Sequence, residues 1–420
     1  MLDTHRPVAM ATRKKRAKHR TESLLAELLS FKEFGLPTRC TQLDVPGFEN
    51  VPVFTNEFWT SKQRAASSLH EVSYRACFKP QLPRFFVERL TAPGEIVYDP
   101  FMGRGTTLLE SAMLGRIPAG CDANPLSAML VRPRLAPPTL ESIRQALQEI
   151  DWAWSGEIPE ELLAFYHPET LREICALRAH LNRPKLSVAD DWIRMVATNR
   201  LTGHSKGFFS VYTLPPNQAV SVKSQIKINE QRKQSPDCRV VSDLIFKKSK
   251  SLLADIDETA LKTLRGVSTS AILLTGSCAD TALLPSESVS LAVTSPPFLD
   301  TVDYAADNWL RCWFNHIDAA RVDIWILKNV VDWAAQMARA FSELRRVLKP
   351  GGFVAFEVGE VRNGKVKLEE FVVPAAASTG LTPVLVLIND QEFTKTSNCW
   401  GVTNRQKGTN TNRIVVLRKD

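Results

Sequence analysis

The densest chemistry in this 420-residue chain sits in four consecutive residues, Ser295, Pro296, Pro297 and Phe298. They follow an apolar run, Val289 to Val293, that reads as a buried strand. Proline has no N–H for a sheet ladder and holds φ near −65°, so two in succession must turn the chain rigidly out of the sheet, leaving carbonyls pointed at something. A serine hydroxyl, a proline carbonyl and a flat ring then suit a planar base held by its exocyclic amine. Such an amine is a poor nucleophile, because its lone pair is delocalised into the ring. If the Ser295 hydroxyl and the Pro296 carbonyl accept its two hydrogens, the nitrogen becomes more tetrahedral and can be aimed in line at a methyl donor. That is catalysis by positioning and electrostatics. Phe298 can stack on a base taken out of its duplex. The bland alternative is a Pro-rich strand exit without chemistry.

A second constellation lies earlier. Glu95 to Asp99 is an apolar strand ending in a carboxylate, followed by Pro100-Phe101-Met102-Gly103-Arg104-Gly105-Thr106-Thr107 and an apolar helix, Leu108 to Leu114. Leu108 stands where the dinucleotide fingerprint G-x-G-x-x-G needs its third glycine. A carboxylate at the strand tip repels a pyrophosphate but attracts the ammonium and sulfonium charges of S-adenosylmethionine, so NAD is disfavoured. Asp99 could otherwise cap the following helix. The next strand, Ile117 to Asp122, also ends in an acid, placed either to grip a ribose diol or to cap a helix. Asp280, past a third strand at Ala271 to Gly276, either accepts from an adenine amino group or is an exposed loop acid. Carbon-5 methylation of cytosine uses a thiolate normally presented as Pro-Cys, a dipeptide this chain lacks.

The elements that must position these residues alternate strand, loop and helix. Tyr74 and Phe78 precede a helix predicted from near Pro80, with Leu82, Phe85, Phe86 and Leu90 on one face. Strand, glycine loop, helix, strand and acid then make the first half of a doubly wound α/β sheet. From Arg134 to about Gly266 the alternation lapses. Helical patterns occupy Thr139 to Trp154 and Pro159 to Leu181, an aromatic, loop-like stretch runs from Asn199 to Ser221, and a basic stretch from Lys223 to Lys250. An excursion of this length reads as an inserted lobe, and such lobes usually carry recognition. The sheet resumes at Ala271, with helices predicted at Tyr304 to Phe314 and Trp325 to Leu348 and strands at Phe353 to Val358, Pro383 to Ile388 and Arg413 to Arg418. The chain thus divides into a basic arm and extension (1–70), a first sheet part with the glycine loop (71–133), an inserted helical and basic lobe (134–270) and a second sheet part with the proline elbow (271–420).

Composition sets outer bounds. With 44% hydrophobic residues there is ample material for a large core. A net charge of +8 leans toward polyanionic partners. Arg13, Lys14, Lys15, Arg16, Lys18 and Arg20 make residues 1 to about 22 either a solvated disordered tail or a phosphate-contacting arm, with a short helix at Glu22 to Phe31 and Pro-containing loop beyond. The eight cysteines are scattered, without a Cys/His cluster at metal-ligand spacing, as expected of reduced thiols in a cytosolic protein. No apolar run is long enough to span a membrane and no secretory apolar region appears, so a cytoplasmic protein is expected.

YRACF with PQL, DPFMGRGTT, the acid of CDANP, and TSPPF ahead of LKPGG together resemble the amino-methylating, S-adenosylmethionine-dependent DNA methyltransferases. The resemblance covers residues 72–130 and 271–359. It implies a Rossmann-like class I methyltransferase fold: a doubly wound, mostly parallel seven-stranded sheet with an antiparallel last strand, here with a largely helical insertion. It implies that Tyr74 and Phe78 pack on the methionine part of the cofactor. Asp99, Pro100, Phe101, Gly103, Gly105, Thr106 and Thr107 then contact S-adenosylmethionine, with Asp122 and Asp280, while Ser295, Pro296, Pro297 and Phe298 hold the target amine. A first-position serine is commoner in cytosine-N4 enzymes, aspartate in adenine-N6 enzymes. The implied partner is double-stranded DNA, with a cognate restriction endonuclease as a further candidate. Lys223, Lys227, Arg232, Lys233, Lys247 and Lys248 are the candidate phosphate contacts. Adenine-N6 or RNA-base methylation, a silent DNA-binding subunit and a small-molecule methyltransferase are the alternatives. The intact SPPF and DPF segments argue against the silent subunit, and the basic stretches against the small-molecule enzyme.

Two departures matter. Ser277 of GSCAD stands where many relatives have aspartate, so Asp280 or the main chain must serve instead. The insertion also falls between the second and third strands, so a standard target-recognition domain does not carry over. GTNTNRIVVLRK resembles the family's closing hairpin, and KTSNCWGVTNRQKGTNTNR reads either as a polar surface loop or as a nucleic-acid contact.

Overall fold

The computed structural model describes residues 5–60, 66–74, 77–214, 219–297, 304–325, 327, 329–361, 366–390 and 411–420. The chain opens with helix α1 (His5–Ser30) and a hairpin, β1 (Arg39–Val45) and β2 (Phe48–Asn56). Helix α2 (Gln81–Leu90) leads into β3 (Ile96–Asp99), α3 (Thr106–Met113), β4 (Ile117–Asp122) and α4 (Leu126–Leu135). The lobe follows, with α5 (Leu140–Gln148), α6 (Pro168–His180), α7 (Val188–Arg200), α8 (Val222–Arg232), α9 (Val241–Leu252) and α10 (Glu258–Ser268). The sheet then resumes through β5 (Ile272–Thr275), β6 (Val289–Thr294), α11 (Tyr304–Phe314), α12 (Val330–Val347) and β7 (Leu348–Val358). A short pair, β8 (Glu360–Val361) and β9 (Val366–Lys367), precedes α13 (Glu369–Ala377), β10 (Thr382–Asp390) and β11 (Thr411–Arg418).

Among the described residues the main sheet has nine strands in the order β1-β2-β10-β11-β7-β6-β3-β4-β5. The five from β5 to β7 are mutually parallel, and β11 runs antiparallel between β7 and β10. Successive strands grow outward from β3 through β4 to β5, then restart on its other side at β6. The order therefore reverses between β3 and β6, and open α/β sheets bind ligands at the carboxyl edge of such a reversal.

Buried parallel strands read as unbroken apolar runs because helices cover both faces, and every residue of β6 is buried. Its pleat sends Val289 and Ala292 to the face covered by α12 and α13, while Leu291 and Val293 meet α1 and α2 on the other. The lobe helices share a core with α3 and α4, where Trp192 and Ile193 pack in the same cluster as Leu108, Leu109 and Leu130.

The N-terminal part departs from expectation. Helix begins at His5, where a disordered arm and only a short helix from Glu22 were expected. The Pro-containing loop contains β1 and β2, and they enlarge the expected seven-stranded sheet to nine. Strand β2 pairs parallel with β10, in register Val53 with Val386 and Asn56 with Asn389. Pro46-Gly47 between the two runs, with Gly47 at φ +83°, is the turn signal that marks this hairpin. The expected helix at Thr139 to Trp154 stops at Gln148, and the one at Pro159 to Leu181 is broken before Pro168. Among the described residues no helix is long and apolar enough to cross a membrane.

Asn389, fully buried, fastens the extension to the sheet. Its Oδ1 accepts the main-chain N–H of Phe58 at 2.7 Å and of Trp59 at 3.2 Å. Asn389→Ala strips two buried donors of their acceptor, and an unpaired buried group costs ~1–3 kcal/mol. A lower urea midpoint with unchanged slope is the expected result; an unmoved midpoint would remove this role.

Candidate functional site

At the tip of β3, Asp99 is 1% exposed. Its Oδ1 accepts the N–H of Phe101 at 3.0 Å and the hydroxyl of Thr294, the last residue of β6, at 2.5 Å. Burial lifts its carboxyl to about 7, against the lowering pull of those hydrogen bonds. Asp99 does not cap the helix that follows; that place belongs to Gly105, at φ +77°. A Cβ on Gly105 would stand 2.2 Å from Cγ2 of Val131, so glycine is required both for the turn and for the approach of α4. Thr107 turns inward and donates to the Val293 carbonyl at 3.0 Å.

Asp122, at the tip of β4, shapes the glycine loop. Its Oδ2 accepts the N–H of Gly103 at 2.8 Å and its Oδ1 that of Asn124 at 2.9 Å. Burial raises its pKa, and these main-chain donors oppose the rise. Arg104 reaches away from the cleft to the carbonyls of His70 at 3.3 Å and Val72 at 2.9 Å, holding the segment that carries Tyr74.

Beyond β6 lies the proline elbow. Ser295 and Pro297 are half-buried and Pro296 is buried, while Phe298 lies outside the described residues. Ser295 is hydrogen-bonded to the buried carboxyl of Glu357 on β7, which also accepts from Asn412 of β11 at 2.9 Å. Burial pushes the Glu357 carboxyl up, and the two hydrogen bonds oppose it. The expectation of freely pointing carbonyls needs correction, because Pro297 accepts the indole N–H of Trp333 at 2.8 Å.

One cleft at the strand reversal is lined by Tyr74, Phe78, Asp99, Pro100, Phe101, Gly103, Thr106, Asp122, Ser295 and Pro297. Gly105, Thr107, Asp280 and Pro296 are not among its lining residues. Asp280 is exposed and stands off this lining, while the front of its loop, Gly276, Ser277 and Cys278, faces the cleft. The remaining wall includes Cys77, Met102 and Asn124, near the recognised motifs, and Arg321, Asp323, Ile324 and Trp325 from the connection between α11 and α12. Trp325 meets Phe101 edge-on, with ring centroids 6.2 Å apart. The helix expected from Trp325 starts only at Val330, capped by Asn329, which leaves Trp325 in the connection and free to face the cleft.

The six basic candidates divide. Lys223, Lys227 and Arg232 lie exposed on α8, with Lys233 at its end. The approach to α8 is tied to α11, since Ala219 donates to the Asp307 carbonyl and the Trp309 indole to the Val220 carbonyl, each at 3.2 Å. Lys247 is exposed on α9, but Lys248 pairs with Glu71 at 2.9 Å with its side chain largely covered, which withdraws it from the candidate surface. Phe208 and Phe209 of the aromatic stretch are buried. Of the polar string at 395–413, residues 395–410 lie outside the described residues and the last three open β11.

A parallel sheet reversing at β3, closed by an antiparallel strand between β7 and β10, is the Rossmann-like class I methyltransferase architecture. Residues 9–128 match the model of a DNA methylase family, and residues 308–356 that of a methyltransferase domain. The chain is 29% identical over 91 residues to the type II methyltransferase M.MjaII of Methanocaldococcus jannaschii, covering 21% of this chain and 17% of that protein. It is 31% identical over 97 residues to the type II methyltransferase M.MvaI of Kocuria varians, covering 22% and 20% respectively. The matches thus span a fifth or less of those relatives' length. A solved structure described as a DNA modification methylase of Thermus thermophilus is 22% identical, with a TM-score of 0.19 over 32% of this chain and 46% of that one. Over these segments the chain is similar to DNA N4/N6 methyltransferases.

The cleft fits the cofactor of such enzymes. Asp99 offers a buried negative charge to a cation, Asp122 stands at the next strand tip, and aromatic rings supply apolar walls. A carboxyl lifted to about 7 keeps, between about pH 4 and 7, a proton that the unfolded chain has lost. Native stability therefore falls as pH rises through that window. Binding a cation favours the ionised form, so affinity for S-adenosylmethionine should fall by up to about tenfold per unit below pH 7. Asp99→Asn should melt higher than the wild type at about pH 8 yet bind the cofactor at least about tenfold more weakly. Calorimetry and thermal melts at several pH values test this, and a pH-independent wild-type affinity would overturn it.

Proposed function

We propose that this protein transfers a methyl group from S-adenosylmethionine to an exocyclic amine of a DNA base, with N4 of cytosine as the acceptor. The observation that carries the reading is the Thr294–Asp99 hydrogen bond, which sets the cofactor acid and the Ser295-Pro296-Pro297 elbow side by side on one edge of the sheet.

Bound there, the cofactor supplies an electrophilic methyl group. Asp99 and Asp122 bind and orient it, and Tyr74, Phe78 and Phe101 exclude water from its walls. Ser295 donates its hydroxyl proton to Glu357 and keeps oxygen lone pairs for one hydrogen of the amine; the Pro296 carbonyl takes the other. The nitrogen lone pair is thereby raised toward the ring normal, aimed for an in-line attack that would break the S–CH3 bond of the bound cofactor and release S-adenosylhomocysteine as the N–C bond forms. The surplus proton leaves toward the Ser295–Glu357 pair. Phe298 stacks on the flipped base.

The duplex is held by phosphate contacts from Lys223, Lys227, Arg232 and Lys233 on α8, with Lys247 beyond, and Gly105 and Thr107 act from beneath by shaping the loop. The relatives named above are type II methyltransferases, and a cognate restriction endonuclease is part of this proposal on that ground alone. Serine at the first position of the elbow favours cytosine over adenine.

Mass spectrometry of nucleosides, after incubating DNA with isotopically labelled cofactor, should show N4-methylcytosine. N6-methyladenine would move the assignment to the other amine, and unmodified DNA would refute the function. Ser295→Ala should retain cofactor affinity within about twofold and lose about 10²- to 10³-fold in methyl transfer. DNA affinity should also fall steeply with salt, and reversing Lys223 and Lys227 to glutamate should flatten that slope.

A further inference from the structure

We propose that Trp333 is a positioning residue for the methyl acceptor, its indole N–H deciding which proline carbonyl of the elbow is left to face the target amine; this rests on the methyltransferase reading above. The elbow is hard to hold by ordinary means, because residues 296 and 297 contribute no main-chain N–H. Its carbonyls and the Ser295 side chain are the handles that remain. Ser295 is held from β7 by Glu357, and the Pro297 carbonyl is held from α12 by Trp333 at 2.8 Å.

The indole is suited to the task. It is 1% exposed, packed in the core between the sheet and α12, and carries one donor and no acceptor. Trp333 is itself fixed in the first turn of α12, where its main-chain N–H donates to the Asn329 carbonyl at 3.0 Å. With the Pro297 carbonyl engaged, Pro296, buried beside Ser295 and outside the cleft lining, has no donor directed at its carbonyl among the described residues, and on the methyltransferase reading that carbonyl is the second acceptor for an amine with two hydrogens. The chain entering α12 also bears on the cofactor side, through Trp325 against Phe101. One short stretch thus references the elbow and the cofactor wall to the same helix.

The test replaces Trp333 by phenylalanine, which keeps a ring in the core and deletes the N–H. Trp192→Phe is the control, because that indole is also buried and loses its bond to the Ser249 hydroxyl at 2.9 Å, within the lobe. Folding is checked by near-ultraviolet circular dichroism, and should W333F not fold, Trp333→Leu takes its place. Three quantities are read: single-turnover methyl transfer to DNA, cofactor affinity by calorimetry, and hydrogen exchange of the peptide running from Val293 past the elbow. We expect W333F to slow transfer at least tenfold, to leave cofactor affinity within twofold, and to speed exchange at the elbow at least tenfold. W192F should change none of these. A normal transfer rate in W333F overturns the proposal, as does a slowed rate with unchanged elbow exchange. A loss of cofactor affinity equal to the loss of rate does so too. If wild-type protein methylates no DNA, it is the functional reading that fails; the exchange measurement then decides alone whether Trp333 holds the elbow.

Discussion

One hydrogen bond, from the Thr294 hydroxyl to the Asp99 carboxylate, sets the geometry on which the site depends. Both residues are almost wholly buried, and each is the last of its strand. β3 and β6 are parallel neighbours, so their ends open at the same edge. A hydrogen bond to a charged group, formed away from water, contributes ~1.5–3 kcal/mol and is directional. It ties the acid of the first half of the sheet to the residue immediately before Ser295. The Thr107 hydroxyl on the Val293 carbonyl repeats the link one residue back, from the helix after the glycine loop. Glycine loop and elbow are thereby parts of one rigid unit.

The surroundings of that unit obey the same rule: main-chain groups that a strained loop leaves open are met by side chains brought from elsewhere. Asp122 collects the Gly103 N–H of the glycine loop and Arg104 collects carbonyls of the preceding segment. Arg134, 1% exposed, reaches the carbonyls of Leu69, Arg104 and Leu130. Burial lowers its pKa to about 9, with the neighbouring Arg104 charge pushing the same way. On the other side Glu357 and Trp333 hold the proline elbow as Asp122 and Arg134 hold the glycine loop.

Much of this was legible in the sequence, and the rest was hidden for identifiable reasons. β3, β4, β6 and α11 were placed to within a residue or two, because a buried parallel strand and an amphipathic helix each leave a periodic trace. Ten of the site residues named from sequence line one cleft, since they sit on short motifs at strand ends. The hairpin β1–β2 was missed because β1 is an edge strand exposed along most of its length, with little apolar pattern to read. Asp280 stands off the cleft because a turn after Gly276 carries it past, and turns obey no spacing rule. Thr294, Glu357, Trp325 and Trp333 act through contacts between elements far apart in the chain, and such contacts exist only once the sheet is assembled.

The lobe between β4 and β5 has a kinetic side. These adjacent parallel strands are separated by roughly 150 residues, so closing that loop precedes every hydrogen bond between them. A loop left as coil would make this contact slow. The lobe collapses instead onto α3 and α4, sharing their core, and its own helices rest on local contacts that form early. Folding of the lobe brings Ile272 back to the edge of β4 and shortens the effective separation to a few turns of chain. The insertion thus acts as a splint for the β4–β5 side of the sheet, while the strand bearing the elbow pairs with β3 on the other side and does not depend on that closure.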